Sequence, residues 1–209
     1  VSDTPTHDAS GAVAGFADAT GRYLPLVCTL NAARILDAAC RILGKTHDEV
    51  ARLALSAKPG ANGLTLLPYF EGERTPNRPT ATGVFAGMNL NNSNPEDIAR
   101  AMVEGMLAGL ADAVDALVAL GVGVNRILLI GGAAKNPAVP AIASALFGRE
   151  VLVPPAGEYV ADGAAKQAAW ALLGRLPTWD LGEVSHHKSE ATPEVMMRYR
   201  ELKNNTQNW

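Results

Sequence analysis

Cysteine is nearly absent: Cys28 and Cys40 are the only two in 209 residues. They form no CxxC pair and each sits in an apolar segment. They read as small buried hydrophobes, and a reducing cytoplasm fits this usage better than a disulfide framework does. Long hydrophobic runs are missing too. No stretch approaches the ~18 apolar residues of a transmembrane helix, and Val1–Ser10 lacks the basic start and apolar core of a secretory leader. No excess of one charge exists: 18 Lys and Arg face 21 Asp and Glu, a net charge of −3. That balance is too even to suggest a nucleic-acid-binding surface. Histidine is scarce. His186 and His187 are adjacent but have no carboxylate or cysteine at ligand spacing, and His7 and His47 stand apart, so no metal site is expected. Repeats, low-complexity tracts and an initiator Met before Val1 are also lacking.

What is present is an ordinary globular composition, 48% apolar and 19% charged, enough for one large domain or two small ones. Val13–Ala17 and Tyr23–Val27, separated by Asp18-Ala-Thr-Gly21, read as adjacent strands. Leu30 to Leu43 has helical spacing and stops at Gly44. Thr46 with Glu49 forms a capping box for a helix to about Ala57. Leu64–Leu67 and Gly83–Gly87 read as strands flanking a long irregular loop, PYFEGERTPNRPTAT (68–82). Such loops are more often functional than filler. Asn94 caps the longest helix, with Pro95 in its first turn. Ile98, Met102, Met106, Gly109, Ala113, Leu117 and Leu120 give it one apolar face, and Gly121 ends it. Then come a buried strand at Arg126–Ile130, a helix at Pro137–Phe147, a strand at Glu150–Val153 and an Ala-rich helix at Ala161–Leu173. Beyond Gly174 the chain turns polar, with a last helix beginning near Pro193. Strands alternating with helices predict an α/β domain with a mixed sheet flanked by helices.

The sharpest local feature is strand–turn–helix: Arg126–Ile130, Gly131-Gly-Ala-Ala-Lys-Asn136, Pro137. Adjacent glycines leave backbone without Cβ, which a flat ring or a phosphate can approach closely. Asn136 is placed to cap the next helix, whose first N–H groups can meet polar ligand atoms. The segment is neither Walker A nor GxGxxG, and a plain tight turn accounts for the two glycines as well as a nucleotide site does. In the 68–82 loop, Glu71, Glu73 and Arg74 leave two readings: a solvated loop held by an internal ion pair, or a loop packed at a cleft or domain boundary with Arg74 fixing its shape. Two carboxylates one residue apart point to opposite faces in an extended chain, which disfavours acid–base pairing. Glu104 reads as a solvated helix residue. Gly105 and Gly109 suggest that another backbone packs close.

Read together, these pieces resemble the C-terminal domain of the FGGY carbohydrate kinases. GVFAGM (83–88), eight residues, then Asp97-Ile-x-x-Ala-Met-Val-Glu104 matches the family's second signature at every position. Gly131, Gly132 and Asn136 look like its adenosine motif GGxxxN. ADGAAKQAAWAL (161–172), with Glu158 upstream, is similar to its ALGAA helix start. PYFEGERTP and the tail are most similar to the xylulokinase branch. Ala133 and Asp162 depart from the commonest family residues, Gly and Leu.

The resemblance covers about Ala12 to Leu173, and its implications are expectations. The fold is actin-like and ribonuclease-H-like. Residues 1–175 form the nucleotide-binding domain and 176–209 a tail with a terminal helix. The cofactors are ATP and Mg²⁺. Gly131, Gly132 and Asn136 contact the adenosine, and Asn31 lies close to the phosphates. No catalytic residue is expected in this chain, because the catalytic Asp and the phosphate-binding Gly-Thr-Ser-Gly turn belong to an N-terminal, sugar-binding domain that the chain lacks. With that domain the reaction is phosphorylation of D-xylulose. Ribulose, gluconate or glycerol as substrate, or a non-catalytic actin-like scaffold, are the alternatives. The expected partners are ATP or ADP, a sugar, the N-terminal domain and a second copy in a homodimer, with no nucleic acid or membrane. The start at Val1 then reads as the handover from the first half of a two-domain kinase to the second.

Overall fold

The computed structural model describes residues 1–180 and 182–207. Strands β1 (Val13–Ala17) and β2 (Tyr23–Val27) form an antiparallel hairpin. Its turn is built by Asp18, whose carboxylate accepts from the backbone N–H of Thr20 and Arg22, each at 2.8 Å. Ser2 pairs with Tyr23 on the other edge of β2. Helix α1 (Arg34–Leu43) starts later than its apolar spacing suggests and ends on Gly44, whose φ of 63° needs no side chain. Helix α2 (His47–Ser56) has the expected capping box between Thr46 and Glu49. Strands β3 (Thr65–Leu67) and β4 (Val84–Ala86) pair antiparallel and bracket the long loop.

Helix α3 (Pro95–Ala119) is the central column. Asn94 Oδ1 accepts from Asp97 N–H at 2.9 Å, the cap that the sequence shows. The one-faced pattern expected for this helix is corrected. Residues 99–108 are all buried, because α1, α2, α4 (Ala138–Phe147) and β3 surround them. Gly105 makes that crowding feasible: a Cβ there would stand 2.6 Å from the Leu66 carbonyl oxygen. The glycines of the 83–88 segment serve similar approaches. A Cβ on Gly83 would overlap the Phe70 ring, and one on Gly87 would reach the Gly63 carbonyl.

The third sheet holds β5 (Ile127–Leu128) parallel to β6 (Val151–Val153), and β7 (Ser185–His187) antiparallel to β6. The buried strand expected at Arg126–Ile130 shrinks to two residues. Among the described residues β6 is its single neighbour, and Leu128 and Ile130 are exposed. Helix α5 (Tyr159–Leu173) buries no residue. Helix α6 (Pro193–Asn205) does the opposite: Val195, Met196 and Tyr199 enter the main core. Among the described residues, no helix is long and apolar enough to cross a membrane.

Candidate functional site

The turn after β5 brings the glycines and Asn136 together. Gly131 has φ 92°, a conformation that favours glycine, and Gly132–Lys135 form a 3-10 turn. Asn136 Oδ1 accepts from Ala138 N–H at 3.0 Å and so caps the start of α4. Its other amide atom, Nδ2, is buried and has no hydrogen-bond partner among the described residues. Such a donor is costly to leave unmet. A Cβ added to Gly132 would meet nothing within 4 Å. Gly132 also avoids positive φ, so nothing in the chain's own packing requires a glycine there.

Opposite this turn stand α1 and the start of α2. Between them lies a cleft of about 340 Å³, a ligand-sized volume. Gly132, Ala133, Ala33 and Leu36 give it small and apolar walls, while Asp37, His47, Asp48, Lys135 and Asn136 supply the polar groups. His47 Nε2 lies 3.1 Å from Asp37 Oδ1. Small and apolar walls, with Asn136 on one side and the carboxylates of Asp37 and Asp48 on the other, can hold a heteroaromatic ring. A larger cleft of about 540 Å³ lies between the end of α2, α4 and the C-terminal segment. Its buried cation, Arg100, is already spent on Glu104 and the Ala54 carbonyl.

Of the four residues picked from sequence, Gly132 and Asn136 line the smaller cleft and Gly131 adjoins it. Asn31 sits elsewhere. It is 7% exposed, and its side chain is fully engaged by the long loop. Nδ2 donates to the Gly72 carbonyl at 2.6 Å and to Glu73 Oε2 at 3.0 Å, while Oδ1 accepts from Phe70 N–H at 3.1 Å. Asn31 thus ties the loop to the segment entering α1, two residues before Ala33.

The loop's own chemistry also differs from expectation. Glu73 is buried and accepts from the N–H of Leu30 and of Arg74, each at 2.8 Å. Glu71 pairs with Arg34, not with Arg74. Arg74 makes no ion pair among the described residues. Arg78 does the clamping, donating to the Lys203 carbonyl at 2.8 Å and lying over the Tyr69 ring at 5.8 Å. Glu104 is not solvated. It is 3% exposed and bonded to Arg100 Nε at 2.6 Å and Gly60 N–H at 2.9 Å. Burial raises its carboxyl pKa above the ordinary value, against the pull of Arg100.

Sequence reasoning missed Asp37, His47 and Asp48. The one available signal was spacing: Ala33 and Asp37 share a helix face one turn apart. Any polar surface pair gives the same signal.

The chain matches the model of the FGGY family of carbohydrate kinases, C-terminal domain, over residues 3–172. It is 40% identical over 171 residues to a xylulose kinase of Streptomyces rubiginosus, covering 81% of this chain and 34% of that protein. Among solved structures, xylulose kinase from Bifidobacterium adolescentis superposes with a TM-score of 0.88 at 50% identity, over 97% of this chain and 40% of that one. Plasmodium falciparum glycerol kinase, solved with ADP, superposes at 0.78 over all of this chain and 44% of its own. Its identity of 17% makes that a likeness of fold alone. The chain spans about a third of the length of the curated relatives it matches. Small sheets wrapped by helices are, on these comparisons, the actin-like, ribonuclease-H-like α/β fold. The chain belongs to the FGGY family of carbohydrate kinases, and residues 3–172 are its C-terminal domain.

Proposed function

We propose that the protein carrying this chain transfers the γ-phosphoryl group of ATP to D-xylulose, giving D-xylulose 5-phosphate and ADP, and that this chain forms the adenosine-binding wall. The identities of 40% and 50% to xylulose kinases support the sugar. Gly132 carries the adenosine assignment. It lacks a side chain where the fold leaves open space, next to a residue whose buried amide donor has no partner among the described residues. In this reading Gly131 and Gly132 pave one face of the adenine. Asn136 Nδ2 donates to a ring nitrogen. Asn31 acts from behind, holding the approach to α1 near the phosphates.

Mg²⁺ accompanies the triphosphate and offsets its charge. Among the described residues no group of three or more His, Cys, Asp or Glu stands together, so these side chains do not form a metal cage on their own. The division we infer is a kinase body over 1–175 with the 176–209 segment folded back on it. It works with an N-terminal sugar-binding domain that supplies the carboxylate acting on the sugar hydroxyl. Exposed apolar residues such as Phe16, Leu26 and Ile130 are covered by that domain, or in a homodimer by a second copy. Two free cysteines and the use of ATP support a cytoplasmic reaction.

Calorimetric titration with ADP tests the cleft. Binding is expected, and Gly132→Trp abolishes it without lowering the melting temperature, because its ring fills ligand space. Folded protein silent at millimolar ADP, or Gly132→Trp binding as well as the parent, overturns the assignment. A coupled ADP-release assay over ketoses and polyols, run on the full-length enzyme, tests the sugar. D-Xylulose is expected to give the highest kcat/KM. The 209-residue chain alone is expected to turn over no sugar, since transfer needs both walls of the cleft.

A further inference from the structure

The cleft's polar groups differ from wall to wall. The 131–136 turn offers a hydrogen-bond donor, Asn136 Nδ2, which is buried and unmet. The facing wall offers acceptors, the carboxylates of Asp37 and Asp48. A flat ligand held by both walls must accept hydrogen bonds at one edge and donate at another. Adenine does so, through its ring nitrogens and its 6-amino group. Hypoxanthine and guanine present a 6-oxo acceptor where adenine presents a donor, and a carboxylate repels it.

The two carboxylates are not equivalent. Asp37 Oδ1 is fixed by His47 Nε2 at 3.1 Å. Its Oδ2 has no partner among the described residues and remains available. Asp37 also lies one helical turn along α1 from Ala33, on the wall that the ring would pack against. Asp48 has no side-chain hydrogen bond among the described residues to hold it in place. Resting on the adenosine-cleft reading above, we infer that Asp37, oriented by His47, accepts from the purine's 6-amino group and so selects adenine over 6-oxo purines.

Paired calorimetric titrations with ADP and with IDP test this. The two ligands share ribose and phosphates and differ at position 6 of the base (with the accompanying proton at N1), so their affinity ratio isolates the base edge. Asp37 is about half exposed, and water tempers the contact. A preference for ADP of about tenfold is therefore expected, not the far larger ratios of sealed polar pockets. Asp37→Asn should bring the ratio to within about threefold, because an amide can accept from the amino group or donate to the oxo group. Removing a negative charge should tighten both nucleotides, and the ratio is insensitive to that. Asp48→Asn should leave the ratio unchanged, and His47→Ala should shrink it partway. Unchanged melting curves establish that the variants fold. If Asp37→Asn keeps the parent's ratio, or Asp48→Asn is the variant that changes it, Asp37 is not the reader, while the adenosine cleft stands. If neither nucleotide binds the parent protein, the cleft reading fails and this inference with it.

Discussion

Replacing Gly105 by Ala sets two effects of opposite sign against each other. In an open helix the change stabilises by about 1 kcal/mol, because alanine loses less backbone freedom on folding. Here the new methyl would lie 2.6 Å from the Leu66 carbonyl oxygen and 3.0 Å from Leu66 Cβ. The first contact is about 0.8 Å short of ordinary van der Waals separation. The obstacle is backbone, and it cannot rotate away. β3 is held by β4 on one side, and Leu66 itself is 1% exposed. Either α3 or β3 must shift, and α3 is packed on several sides. Overpacking of this kind costs about 1–3 kcal/mol, with the upper half expected against an immobile strand. After the helix gain, the net loss is about 1–2 kcal/mol. At about 2–4 °C per kcal/mol for a chain of this size, the melting temperature falls by roughly 2–8 °C. Urea unfolding, with a scanning calorimetry trace for the midpoint, measures it. A neutral result, or a gain near the propensity value, would refute the claim that helix and strand meet too closely for a methyl group.

Four further outcomes follow from buried polar groups. Arg100→Met or Glu104→Leu alone leaves one buried charge unpaired and should cost about 3–5 kcal/mol, while the double variant should recover much of that in a thermodynamic cycle. Glu104's carboxyl titrates above its usual 4.5. Its contribution is therefore greatest below that pH and declines as pH rises through the raised value, a slope the double variant should lack. Tyr69, the buried second residue of the long loop, has its phenol pushed up to about 12, chiefly by burial. Absorbance titration should show it ionising after exposed tyrosines, with stability falling between about pH 10 and 12 because the unfolded phenol loses its proton first. Asn31→Asp sets a second carboxylate against Glu73 and should destabilise more than Asn31→Ala at neutral pH. Acidification, read by urea midpoints, should narrow that gap.

Much of the local structure was legible because its causes are local. Asn94 with Pro95, Thr46 with Glu49, and the stop at Gly44 satisfy helix ends within a few residues of chain, so sequence alone locates them. The turn after β5 was legible as backbone without side chains, and the structure shows open space beside Gly132. The facing wall was not, because α1 and α2 lie about a hundred residues earlier and only the tertiary fold brings Asp37 and His47 opposite Asn136. Glu104 shows the same limit: a lone Glu in a helix carries no sign that Gly60 and Arg100 will enclose it. Arg74, beside Glu73, is the cation that local charge points to, yet Arg78 is the one that clamps. Which one clamps the loop depends on where Lys203 arrives, which no local pattern encodes. Helix α6 reads as polar and still buries three residues, since its apolar strip is too narrow to dominate the composition.

Helix α4 has two tenants. Its first turn is capped by Asn136 at the cleft. One and two turns further on, its carbonyls at Ala141 and Ala145 are claimed by the C-terminal segment, through Ser189 Oγ at 3.1 Å and Thr192 N–H at 3.1 Å. A rod capped at one end by Asn136 and held along its flank by Ser189 and Thr192 carries load between them. Removing residues 189–192 from contact with α4 would therefore free the flank and loosen the cap, and on the adenosine reading proposed above nucleotide affinity would weaken at a distance from the change.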